Sequence, residues 1–447
     1  MDALKNYAVV LGYWSSVKYS VHVILGAAES HGLVDEVDFY LVDLENVLQT
    51  VSELKDRYSK VFYMQTLLTT ELPSIYRRLI HVNEKLKMLG IASVGGGPHA
   101  TGDPFGTVLS LGFSYAFVGE VEEVLPQVVE LGFGKLDPSA VPGLFYINSD
   151  RFFLNGRGFV KDINKYPPFS PSLGLFNPIE LSRGCFHSCR YCQVSYIHST
   201  KVRHRSVDDV LRWCGLLLDR GIRDLRFISP DALSYGCNAP SRISGDVFNL
   251  VERLSLLKKR GGRIYFGTFP SEMRPEHIDE EVARFLKSHV SNERVNIGAQ
   301  SGSDESLVKI NRGHTSEDVV RAVDDLVKTG FSVDVDYILG LPDETPEDLR
   351  LTLAHMKEVV KKGGRIRIHY FIPLPGTPYA LRNPSEVPSW VKNEVLKLVG
   401  SGRAYGSWLN QERVAREVLR LRDEGVILAT SLRARDALSR ASERALS

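Results

Sequence analysis

Short apolar runs alternate with helix-period stretches along the first 134 residues. YAVVLGY is a buried-strand pattern, and the YSVHVILGAAESHG that follows is helical and closes on Gly32. VDFYLVD then reads as a strand, ENVLQTVSELKDR as a helix, KVFYMQTLL as a strand and IYRRLIHVNEKLKMLG as a helix ending in glycine. IASVGGGPHAT passes from strand into a glycine-rich turn, and FSYAFVGEVEEVLPQVVELG adds one more strand and helix. Such alternation predicts an α/β domain over residues 1–134, built on a doubly wound parallel sheet.

The pattern changes over residues 135–176, where LFYIN and FFLNG suggest a small hairpin and KYPPFSPSLGLFNP has linker composition. A second alternation starts at Asn177. Its strand-like segments are PIELSRG, RDLRFIS, RIYFGTF, RVNIGAQ, SVDVDYILG and RIRIHYFIP, separated by helical stretches that often end in glycine. Six β/α units are too few for a closed eight-fold barrel, so residues 177–380 are expected to form a partial (β/α)6 barrel of TIM type. Residues 381–447 are polar and helical in pattern, with ERVAREVLRLRDEG the clearest case, and read as a C-terminal extension.

At 447 residues with 43% hydrophobic positions, the chain is long enough for two cores. Its 55 basic and 54 acidic residues give no support to a polyanion-binding role, so nucleic acid is not an expected partner. No apolar run reaches the roughly 18 residues of a membrane span. The first residues, MDALKNYAVVLGYW, lack the features of a signal peptide, and a cytoplasmic location is expected.

Three of the five cysteines fall within eight residues: Cys185, Cys189 and Cys192. That crowding suggests a metal or redox site rather than a disulfide framework. Cys214 and Cys237 are expected to be ordinary thiols. Packed thiols on one helix face are a poor alternative, because Gly184 and polar neighbours make a weak core helix. Zinc is a better one, with His187 or His198 as a fourth ligand. An electron-transfer cluster normally takes four cysteines, and no fourth lies nearby.

C-x-x-x-C-x-x-C after the first strand of a partial barrel resembles the signature of the radical S-adenosylmethionine (radical SAM) superfamily. The resemblance implies a [4Fe-4S] cluster on Cys185, Cys189 and Cys192, with one open iron that chelates S-adenosylmethionine. It implies reductive cleavage to a 5′-deoxyadenosyl radical, fed by a reductant such as ferredoxin or flavodoxin. It assigns no catalytic side chain beyond the cluster ligands. Tyr191 takes the place of the aromatic residue that packs on adenine. The QSGS at 300–303 and the NRGHT at 311–315 resemble stretches of the methylthiotransferase-like branch. By that match Gln300 and Ser301 lie near the ribose and Arg312 near the methionine carboxylate. Ile338 and Gly340, in ILGLP, match the strand that packs on adenine, with Asp343 a departure from the usual glycine. Pro375, in PLPGTP, matches the sixth strand's terminal turn. Ser229 stands where the family binds the methionine amino group.

Methylthiotransferases carry a second three-cysteine cluster in their N-terminal domain, but residues 1–184 contain no cysteine. The first domain instead resembles the cobalamin-binding, Rossmann-like domain of another radical SAM branch. The carrying residues are Gly95, Gly96, Gly97, Pro98 and His99 after one strand, and Gly119 and Glu120 after the next. By analogy Thr66 and Leu67 also face the cofactor. The D-x-H-x-x-G ligand motif is absent, and His22, within an apolar helix pattern, is expected to be packed. The leading expectation is cobalamin-dependent methyl transfer to an unactivated carbon of an unidentified substrate. A radical SAM rearrangement, cyclisation or carbon–carbon bond formation without cobalamin is the second. A non-catalytic zinc or iron–sulfur protein is the third. Tyr405, Trp408 and Gln411 are expected to cap the barrel mouth. Lys201, Arg203, His204 and Arg205 are expected to face solvent or an anionic substrate.

Overall fold

A computed structural model describes residues 5–240, 243–431 and 433–434. The first sheet has seven strands: β1 (Tyr7–Gly12), β2 (Val37–Val42), β3 (Lys60–Thr66), β4 (Ser93–Gly96), β5 (Tyr115–Phe117), β6 (Leu144–Asn148) and β7 (Arg151–Leu154). Their order is β2-β1-β3-β4-β5-β6-β7, parallel through β5 and antiparallel from there. The hairpin expected in a linker is therefore the edge of this sheet. Residues Ala8–Leu11 of β1 are all buried, because helices cover both faces. Ala8 and Val10 enter one core, and Val9 and Leu11 the other.

The second unit is an open arc. β8 (Ile179–Glu180), β11 (Asp224–Ile228) and β12 (Arg263–Tyr265) form one parallel group in the order β12-β11-β8. Between them in sequence, β9 (Ser182–Arg183) and β10 (Arg203–His204) pair as a short antiparallel ladder. β13 (Arg294–Gln300), β14 (Ser332–Leu339), β15 (Arg365–Tyr370) and β16 (Ala404–Tyr405) form the other parallel group. Backbone bonds from Asn296 N to Gly267 O (2.8 Å) and from Met273 N to Asn296 O (3.0 Å) join the two groups. Among the described residues no pairing closes the arc, and one core runs around its outside. β16 is a correction to the wholly helical extension: it adds a strand beside β15.

The helix Trp408–Asp423 spans both units. Trp408 and Ala415 pack into the barrel core, while Val418 and Leu421 pack into the first domain. Behind it, Asp103 accepts bonds from the amides of Leu428 (2.8 Å) and Ala429 (2.9 Å). No helix among the described residues is long and apolar enough to cross a membrane.

The units also meet at the helix Lys18–Ser30. A Cβ on Gly26 would lie 2.3 Å from the carbonyl oxygen of Phe169. Gly26→Ala therefore separates this helix from the segment leading into the barrel. A loss of about 1–3 kcal/mol is expected in urea unfolding, as for other overpacked sites, and an unchanged midpoint would contradict the contact.

Candidate active site

The cysteine loop leaves the carboxyl end of the first barrel strand, where parallel sheets place ligands. Cys185, Cys189, Cys192, Tyr191, Ser229 and Arg312 line one cavity of about 250 Å³, together with His187, Asp231, Glu272 and Arg274. The loop is pinned from several sides. Arg190 N donates to Ile310 O (3.0 Å), and Asn311 Nδ2 donates to His187 O (2.8 Å). Gln193 Nε2 donates to Pro375 O (2.8 Å).

Burial pushes the Cys192 thiol up to about 12 and raises that of Cys185. Metal loading must therefore expel protons, and two buried cations favour the thiolates. Arg312 Nη1 lies 3.8 Å from Cys189 Sγ. Its other bonds go to Gly298 O (2.8 Å) and His314 Nε2 (3.1 Å), both uncharged partners. Arg274 hydrogen-bonds Glu276 and the carbonyl of Arg312. Burial, then the Arg274 charge, pushes His187 down to about 3, so its ring stays neutral.

Three thiols around a roomy cavity, beside a guanidinium with no carboxylate partner among the described residues, fit an iron–sulfur cluster with an anionic ligand. A lone zinc ion needs side chains drawn to one point. Among the described residues no three His, Cys, Asp or Glu side chains converge in that way. His198 is engaged elsewhere, with Glu120 at 3.1 Å.

The other residues expected around S-adenosylmethionine are placed less uniformly. Ile338 packs on the same small apolar cluster as Tyr191, with Leu307, Leu341 and Phe371. Gln300 ends β13 at a positive φ of 72°. The amide of Gly340 donates to Glu344 Oε2 (3.1 Å). None of Gln300, Ile338, Gly340 and Pro375 lines the thiol cavity. Ser301 is fully buried, and its hydroxyl meets Thr352 Oγ1 (3.1 Å) and Ser303 N (3.2 Å), so its bonds fix the turn after β13.

A second cavity, of about 240 Å³, lies between the units. Thr66, Gly97, Pro98, Gly119 and Glu120 line it from the first domain, and Glu180, Arg183, Ile197, His198 and Ile228 from the barrel. A smaller pocket shares Thr66, Gly97 and Gly119 with it and adds Gly96. Open space lies where a Gly96 side chain would be, whereas Gly97 has φ 83° and a side chain there would crowd Thr66 and Leu67. Leu67, Gly95 and His99 do not line these cavities. Gly95 packs against Thr107, and His99, fully buried, meets Thr69 Oγ1 at 3.0 Å. His22 is packed, bonded to Asn177 Oδ1 (2.7 Å) and Tyr13 (3.0 Å).

Glu120 lines the cavity, and its carboxylate sits in an ion network. Its oxygens meet Arg203 (2.6 Å), Arg183 (3.4 Å), His198 (3.1 Å) and the amide of Val160 (2.9 Å). Arg183 also reaches Glu122 (2.6 Å) and Glu180 (2.8 Å). Arg203 and Arg205 were expected to face solvent or substrate, yet both are buried and paired, Arg205 with Asp209. The first barrel turn needs these guanidinium groups to hold acidic residues of the other unit and of the first helix. Tyr405 was expected at the barrel mouth. It instead bonds Asp334 (3.0 Å), near the amino end of β14, and Trp408 is buried in the core. Gln411 alone reaches the carboxyl end, donating to His369 Nδ1 (3.4 Å) and accepting from Tyr370 N (2.9 Å).

An open (β/α) arc with a three-thiol loop after its first strand is the architecture of a radical SAM domain. Residues 179–356 match the model of the Radical SAM superfamily, and the chain carries that domain. The chain is 31% identical over 205 residues to a tRNA-2-methylthio-N(6)-dimethylallyladenosine synthase of Pelobacter propionicus. That match covers 44% of this chain and 44% of the relative. A threonylcarbamoyladenosine tRNA methylthiotransferase of Thermotoga maritima is 27% identical over 49% of each chain. The chain thus spans less than half the length of these curated relatives. Among solved structures, the fold resembles the radical S-adenosylmethionine methyltransferase TsrM of Kitasatospora setae, determined with cobalamin and a [4Fe-4S] cluster bound. The TM-score is 0.65 at 17% identity, covering 84% of this chain and 74% of that one. It also resembles the cobalamin-dependent S-adenosylmethionine radical enzyme OxsB, with TM-score 0.61 at 15% identity, covering 79% and 52%.

Proposed function

We propose that this protein is a cobalamin-dependent radical SAM enzyme that transfers a methyl group to an unactivated carbon. The observation that carries the reading is a pair of adjoining cavities. Ile228 lines the cavity between the units, and the next residue, Ser229, lines the cavity of the three thiols. The absence of cysteine from residues 1–184 removes the ligands for a second cluster in the first domain, and the small residues at its strand ends leave room for a flat macrocycle. The fold shared with TsrM and OxsB supports the same reading.

When bound, the cluster and S-adenosylmethionine supply a 5′-deoxyadenosyl radical on reduction by a ferredoxin or flavodoxin, and cobalamin supplies the methyl group. The three thiolates of this chain hold the cluster, and Arg312 orients the carboxylate of S-adenosylmethionine. Tyr191 and Ile338 offer an apolar wall to the adenine. The Glu120, Arg183 and Arg203 network ties the two units together.

Arg312→Met keeps the volume and removes the charge. It is expected to weaken S-adenosylmethionine binding by about 10–100-fold in anaerobic equilibrium dialysis, the range for a buried charge-assisted bond, while iron content is retained. Unchanged affinity would detach Arg312 from the carboxylate.

The whole reading is tested by anaerobic reconstitution followed by iron, zinc and cobalt analysis. Retention of both iron and cobalamin, with methyl transfer from labelled S-adenosylmethionine, is the expected result. Iron without cobalamin uptake would leave a radical SAM enzyme of the rearrangement or cyclisation kind. Zinc in place of iron would remove the radical chemistry.

A further inference from the structure

Side chains of β14 and β15 alternate strictly between the outer core and the lumen of the arc. Val335, Tyr337, Leu339, Ile366 and Ile368 pack outward, so Asp334, Asp336, Arg367 and His369 face inward. Asp334 and Asp336 share one face and differ in fate. Asp334 accepts from Arg294 (3.0 Å), Arg365 (2.9 Å) and Tyr405 (3.0 Å). Asp336, one pleat closer to the thiol cavity, has a side chain only 4% exposed. The nitrogens nearest it are Arg367 Nη1 at 3.7 Å and His369 Nε2 at 3.6 Å, both beyond hydrogen-bond range. Its Oδ1 has no hydrogen-bond partner among the described residues.

Beside it stands Glu272, on the segment after β12, which lines the thiol cavity. Glu272 Oε1 meets Arg367 Nη1 at 3.4 Å, so two carboxyl groups share one guanidinium. Burial, and next the negative charge of Asp336, pushes Glu272 up to about 8. Near neutral pH Glu272 therefore keeps its proton and shares it with Asp336, so the pair carries one negative charge beside a single guanidinium. A buried acceptor left unmatched costs about 1–3 kcal/mol. Asp334 shows that this fold satisfies an acid on the same face when its role is purely structural. Phe269 stacks over Arg367 at 5.2 Å and, with Pro270, gives the same cavity an apolar wall.

We infer that Glu272 and Asp336 form the substrate-anchoring subsite and take a protonated nitrogen, an amine or guanidine carried on an apolar frame. The cationic ligand would take the place of the proton the pair shares and bond the unpartnered Asp336 Oδ1, while Arg367 holds the two carboxyl groups in place. The inference rests on reading the thiol cavity as catalytic, and it concerns binding only.

The test uses the anaerobically reconstituted full chain with S-adenosylmethionine present, and benzylamine, benzyl alcohol and benzoate as probes. Calorimetry is expected to show benzylamine binding at least about tenfold more tightly than either analogue, because a site built for N–H donors rejects ligands lacking them. Asp336→Asn and Glu272→Gln should each weaken benzylamine at least about fivefold, with iron content and circular dichroism unchanged. Glu272 lies on a cavity-lining segment, so its variant keeps the test available if Asp336→Asn fails to fold. Equal binding of the three probes, or full benzylamine affinity in the variants that fold, would overturn the inference. Neither result touches the cobalamin reading, which stands or falls on cobalt retention and methyl transfer.

Discussion

Cys189→Ala is expected to strip the iron from the anaerobically reconstituted protein. It should lower 5′-deoxyadenosine formation at least about 10³-fold, equivalent to roughly 4 kcal/mol. Cys189 is the most buried of the three clustered thiols and sits against the Arg312 guanidinium. An iron–sulfur cluster on three thiolates already leaves one metal site open to S-adenosylmethionine. Losing another thiolate leaves two protein ligands for four metals. Cys214→Ala is the matched control. Cys214 is fully buried in the helix Val207–Asp219, so its loss costs some packing but leaves iron in place. Full iron in Cys189→Ala, or its loss from Cys214→Ala, would reverse the ligand assignment.

The second large effect is expected at Glu120, whose carboxylate lies in the ion network between the two units. Its side chain is 2% exposed and faces Arg203 and Arg183, each 9% exposed. Glu120→Ala removes the carboxylate that pairs with buried Arg203 and one of three around Arg183, which keeps Glu122 and Glu180, and a loss of about 3–5 kcal/mol is expected in urea unfolding. Burial alone would raise the Glu120 carboxyl. Hydrogen bonds from His198 and Arg203 and the charge of Arg183 outweigh it and hold the group well below the usual carboxylate range. The stabilisation is therefore complete above the unfolded glutamate value of about 4.3 and drains away as pH falls from there toward the folded value. In Glu120→Ala that part of the acid sensitivity should disappear, with midpoints at pH 7 and pH 3.5 drawing closer. An unchanged difference between the two would place the acid-labile groups elsewhere.

Much of this was readable from the chain. The two alternations, the open arc and the three-thiol loop follow from hydrophobic period, glycine stops and cysteine spacing, all of which are local signals. The Glu120 network was not readable, because Arg183 and Arg203 lie far along the sequence and buried arginines look like surface ones until their partners are placed. Glu120 was singled out as a residue facing a cofactor, and it lines the cavity between the units, but no local signal announced its ion network. The bonds of the Ser301 hydroxyl to Thr352 and Ser303 were likewise not legible in the motif, because Thr352 is brought to it only by the fold. One signal was present and passed over. Parallel strands covered on both faces read as unbroken apolar runs, whereas SVDVDYILG and RIRIHYFIP alternate apolar with charged residues. That alternation is the sequence mark of a polar lumen, and it points directly at Asp336 and Arg367.

The helix Trp408–Asp423 gives its first turns to the barrel core and its last turns to the first domain. It acts as a keystone. Opening either unit at this helix exposes apolar surface of the other, so neither can fray here alone. The cleft between them is then set by this helix rather than by a free hinge. Its width is a property of the whole fold, and a guest in that cleft meets walls already spaced before it arrives.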